Sequence, residues 1–117
     1  MTLDKAVLHL LEGDPLPARE WARAVAADPA SLADLPAPRT TDPVARSLAA
    51  GLVEMLCARA GVDGPRWSHA VEVVDPPTWL ARFARSHPAL RARCEAYGPE
   101  ALRRRGFFAM PGFLESA

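Results

Sequence analysis

Few side chains in this sequence are suited to acid–base or nucleophilic chemistry, and they are scattered. Foremost are three histidines, His9, His69 and His87, and two cysteines, Cys57 and Cys94. No two histidines stand at His-x-x-x-His spacing and no cysteine has a histidine nearby, so the pattern predicts no metal site. His9 falls in an apolar run and His87 precedes Pro88, which places both at helix boundaries. His69 follows Trp67-Ser68 in a loop-like stretch, where functional residues concentrate. A small enzyme would be built on His69 with Ser68 or Cys57 and with Asp75, but no Gly-x-Ser-x-Gly elbow supports it. The glycines form no Gly-x-Gly-x-x-Gly fingerprint, and Lys5, the only lysine, has no phosphate-loop context, so no cofactor is expected.

The densest charge is Arg103-Arg104-Arg105, with Arg91 and Arg93 upstream of it. Guanidinium groups grip phosphate bidentately, so this cluster would be the contact surface of a nucleic-acid-binding protein. Cations at a helix C-terminus also complement its dipole, and the chain lacks a helix with polar base-reading residues. Next to the arginines lie aromatic side chains in loop-like contexts: Trp67, Phe107, Phe108 and Phe113. Exposed together they would make an interaction surface, with Arg103, Arg104 and Arg105 orienting a partner at its rim.

Twelve prolines and seven glycines cut the chain into short pieces that must position these groups. The apolar spacing predicts helices over Asp4–Glu12 and from Pro15 or Pro17 to Ala27, with a further turn from Ser31 to Leu35. Residues 36–41 read as a loop. The strongest helix follows Asp42, a good N-cap, has Pro43 at its first position and closes at Gly61. Its Val44, Leu48, Leu52, Met55 and Leu56 recur at three- and four-residue spacing and predict the centre of the core. Gly51 costs that helix about 1 kcal/mol against alanine, a sign of a close helix crossing. Trp67–Val74 reads as extended or helical coil, since a lone short strand needs a partner. Helices are expected from Thr78 to Arg85, from Pro88 to Tyr97 and from Glu100 to Arg105, with Trp21, Trp79, Leu80, Phe83, Leu90, Cys94 and Tyr97 facing inward. The apolar tail from Phe107 to Leu114 should dock on the body. The expected fold is all-α: one domain, residues 1–117, arranged as an orthogonal bundle of about six short helices.

Half of the 117 residues are hydrophobic, enough for a core, and 14 basic side chains balance 14 acidic ones. That neutrality excludes a strongly basic nucleic-acid coat or an acidic tail. The sequence opens with an early acid rather than a signal peptide and has no uninterrupted apolar run of membrane length, which predicts a cytoplasmic protein with no membrane partner. Two distant cysteines predict no disulfide framework.

One resemblance adds to this. Asp75-Pro76-Pro77-Thr78-Trp79, Leu90-Arg91, the box from Pro99 through Arg103-Arg104-Arg105-Gly106-Phe107-Phe108, and Phe113 through Ala117 resemble the end of a group of small bacterial helical proteins. Their closing box runs Phe-Arg-Arg-Arg-Asn-Ile-Phe-Val before a short leucine-containing helix. This chain has Gly106 for the Asn and Ala109 for the Val, and the likeness covers residues 75–117 alone. Some of that group resemble accessory or antitoxin-type proteins, which implies a protein partner and no catalytic residue. The resulting expectation is a non-enzymatic protein–protein interaction module, with self-association as a homodimer a further option. Nucleic-acid binding through Arg91, Arg93 and Arg103–Arg105 and an enzyme around His69 are the alternatives.

Overall fold

The computed structural model describes residues 2–115; Met1, and Ser116 and Ala117 at the end of the C-terminal box, lie outside the described residues. Helix α1 spans Leu3–Leu11 and starts where Thr2 accepts a hydrogen bond from the Lys5 N–H. Helix α2 spans Leu16–Ala26, and a 3-10 turn follows over Pro29–Asp34. Asp4 also accepts from the Arg39 and Thr40 N–H groups, which fastens the proline-containing loop to the first helix.

Helix α3, Pro43–Ala60, is the hub. The Asp42 carboxylate caps it through the Val44 N–H, and Gly61 ends it in the left-handed conformation (φ 69°) that glycine adopts without strain. The periodic leucines do pack inward, but burial extends round most of the helix, from Ser47 to Val53 without a break and again from Met55 to Cys57. A helix buried on nearly all sides must have neighbours on all sides. Here α1, α5 and two of the 3-10 turns pack against it. Gly51 is where α5, Glu100–Arg103, comes closest: a Cβ at residue 51 would stand 2.8 Å from Leu102 Cδ2.

The structure is mostly helical but not purely so. Thr78–Trp79 forms β1, which pairs in parallel with β2, Phe107–Phe108, in the register Thr78 to Phe107 and Trp79 to Phe108. A helix opening at Thr78 is therefore not observed. The chain bends at Asp75-Pro76, and the Thr78 and Leu80 N–H groups then donate to Gly106 O and Phe108 O at 2.8 Å. A 3-10 turn over Arg82–Ser86 is all that forms of the expected helix. Helix α4, Pro88–Tyr97, then supplies, with α5, the crossover that two parallel strands need. Leu80 and Cys94 are buried as expected, whereas Phe83 and Tyr97 are exposed.

Candidate interaction surface

The three consecutive arginines occupy three different environments. Arg105 is fully buried (0% exposed). Its Nη1 donates to Ala101 O at 2.7 Å; its Nη2 donates to Glu54 Oε2 at 2.9 Å, Ser68 O at 2.9 Å and Ala70 O at 2.8 Å. One guanidinium thus joins α3, the end of α5 and the chain after the 3-10 turn Arg66–His69. Arg suits this place because its planar fork serves several acceptors at once. Burial pushes its pKa below the ordinary value, yet a guanidinium stays charged at any physiological pH. Arg104 lies at the surface and pairs with the other oxygen of Glu54. Arg103 donates to the carbonyls of Glu95 and Ala96 at the end of α4, at 3.3 and 3.0 Å.

The basic rim expected of Arg103–Arg105 is accordingly not a free cationic surface. Arg105 is core, and the other two are engaged within the fold. Arg91 is exposed but lies 4.4 Å above the Trp79 ring, whose other partner is Phe108 at 5.1 Å between ring centroids. Arg93 is exposed.

Nor do the four aromatic side chains form one exposed patch. Phe107 is fully buried, because β2 turns it into the core while Phe108 faces Trp79. Trp67 and Phe113 are half-buried against the core. The Trp67 indole N–H donates to Leu35 O at 2.8 Å, so its polar end is already satisfied within the fold.

His69 is exposed, while the two nucleophiles considered beside it are committed elsewhere. The buried Ser68 hydroxyl donates to Pro65 O at 2.7 Å. Burial pushes the Cys57 thiol up, with Asp63 adding to the shift, which is the opposite of an activated thiolate. Among the described residues no three His, Cys, Asp or Glu side chains cluster as metal ligands, and no helix is long and apolar enough to cross a membrane.

A cleft with a mostly apolar lining lies elsewhere. About 380 Å³ in volume, it runs between the α1–α2 joint, the Leu80–Phe83 segment and the C-terminal tail, and is lined mainly by Pro15, Leu80, Phe83, Met110, Phe113 and Leu114. Phe83 at its edge is 55% exposed, and Leu16, beside Pro15, is 58% exposed. Arg19 also lines it, and no ion pair to Arg19 occurs among the described residues. The tail that forms one wall is fastened: Leu114 is buried, and Arg59 Nη1 donates to Phe113 O at 2.7 Å. Neither family models nor curated proteins nor solved structures give a match to this chain.

Sequence reasoning named Phe113 for this surface but missed Phe83 and Arg19. Phe83 sits at helical spacing from Trp79 and Leu80, which reads as a shared inward face. The spacing lost its meaning once the segment paired as a strand and a 3-10 turn.

Proposed function

We propose that this chain is a non-enzymatic protein–protein interaction module of the bacterial cytoplasm, an accessory or antitoxin-like protein built as an orthogonal bundle of short helices. Its docking site is the cleft between the α1–α2 joint and the tail, and the partner group it takes is an apolar side chain next to a carboxylate. One observation carries the reading: Phe83 stands exposed at a cleft whose lining is otherwise apolar, with Arg19 the single charge. A large apolar side chain left open at a concave site favours a partner that covers it. The Arg19 guanidinium selects an acidic neighbour and fixes orientation more than it adds affinity. The reading keeps Phe113 and sets aside Trp67, Phe107 and Arg105, which serve the fold.

The test is a photo-crosslinking amino acid placed at Phe83 in the native host, with the same group at Tyr97 as control. The expected result is one adduct of defined mass at 83, lost on filling the cleft with Ala81→Arg and weakened by Arg19→Glu. No adduct at 83, or the same adduct from 97, would refute the reading.

A further inference from the structure

The chain between the 3-10 turn Arg66–His69 and the Asp75-Pro76 corner has the habit of a strand without a partner on one side. Ala70 is extended (φ −65°, ψ 129°), and residues 70–74 contain no turn or bend. The main-chain groups that point into the protein belong to every second residue. Ala70 O accepts from Arg105 Nη2 at 2.8 Å, Glu72 O accepts from the Ser47 hydroxyl at 2.6 Å, and the Val74 N–H donates to Arg105 O at 2.9 Å. In an extended chain the groups of alternate residues leave on opposite sides. The N–H and C=O of Val71 and Val73 therefore point away from the body, and neither residue has a main-chain partner among the described residues. The two residues are 46% and 72% exposed, high values for valine.

We propose that Val71-Glu72-Val73 is an open strand edge that accepts an extended segment of a protein partner in which a basic residue stands between two apolar ones. Main-chain hydrogen bonds supply the docking in this mode, and alternate side chains supply the choice of partner. The pattern of open groups fixes the register of an antiparallel visitor. Val71 and Val73 each exchange two hydrogen bonds with the residue opposite, so Glu72 falls in the closer, non-hydrogen-bonded pair.

Glu72 is exposed, and no ion pair to it occurs among the described residues. Facing a second copy of the same edge, it would meet another Glu72, which disfavours pairing. Facing lysine or arginine it gains a cross-strand ion pair. The carboxylate thus blocks self-pairing, as charges on natural sheet edges do, and selects a basic partner. This edge shares no residue with the cleft lining, and the inference stands whether or not the cleft binds.

The test titrates isotope-labelled full-length protein with acetyl-Thr-Val-Lys-Val-Thr-amide, following backbone amides by NMR. Shifts centred on Val71 and Val73 are expected. They should vanish when both peptide valines are N-methylated, which removes the donors while keeping the side chains. Replacing the peptide lysine by glutamate should weaken binding by about tenfold, and the exposed substitution Glu72→Lys should invert that preference. Unchanged Val71 and Val73 amides at millimolar peptide, equal binding by the N-methylated peptide, or a dimer formed through this edge without peptide would each overturn the proposal.

Discussion

Replacing Arg105 tests the central structural reading, that one member of a triple-arginine run is a core residue. The Arg105→Ala variant strands the buried carbonyls of Ala101 and Ser68, which accept from no other donor among the described residues. Leaving each unsatisfied costs about 1–3 kcal/mol. Truncating a fully buried long side chain leaves a cavity that adds about 2 kcal/mol. The sum, about 4–8 kcal/mol, approaches the whole stability of a small domain, about 5–15 kcal/mol. A methionine of similar length would not rescue the loss, because the stranded acceptors are main-chain groups that no substitution removes.

Milder variants keep the reasoning measurable if that protein fails to fold. Arg105→Lys retains the charge but not the fork, and should lose about 2–3 kcal/mol. Glu54→Gln keeps an acceptor while removing the counter-charge; with the Glu54 side chain 18% exposed, the penalty for breaking a fully buried pair shrinks to about 1–2 kcal/mol. Arg104→Ala, at a side chain 43% exposed, should cost less than about 1 kcal/mol. Urea unfolding followed by the fluorescence of Trp21, Trp67 and Trp79 gives these differences by linear extrapolation. Equal losses for Arg104→Ala and Arg105→Lys, or a neutral Glu54→Gln, would refute the assignment.

Gly51→Ala should destabilise the protein by about 1–2 kcal/mol in thermal melts, even though alanine favours a helix. Its Cβ would press on Leu102 at 2.8 Å and on the Arg105 stem at 3.3 Å, so a stabilising result would contradict the close crossing of α3 and α5. The thiols of Cys57 and Cys94 are both raised by burial, with help from Asp63 and Glu95 respectively. A raised folded-state value means the unfolded chain loses its protons first, so stability is complete below the ordinary thiol range and is lost as pH rises above about 8.5. Urea midpoints between pH 7 and 10 should show this slope, and Cys57→Ala together with Cys94→Ala should flatten it.

Much of the helical framework was legible from local chemistry. Asp42, Pro43 and Gly61 mark the two ends of α3 because capping depends on residues within a turn of each other. The turn at Pro29–Asp34, helix α4 after His87 and the docked tail follow from the same short-range rules. The strand pair was not legible, since two residues are too few to show alternation, and their partners stand 29 positions apart in the register Thr78 to Phe107. The site suffered more than the fold. Phe107 and Phe108 look alike in sequence, yet the pleat of β2 sends one into the core and the other onto Trp79.

The residues around Asp42, Pro43 and Gly61 were enough to mark the ends of α3 and its burial, because those outcomes rest on neighbouring residues and on the water-avoiding side chains they carry. Only the tertiary structure decided which of three identical arginines became the internal staple and which apolar residues were left uncovered. Both depend on acceptors and surfaces brought together from distant parts of the chain: Glu54 meets Arg105 across 51 residues, and the carbonyls of Ser68 and Ala70 leave no trace in the identity of their side chains.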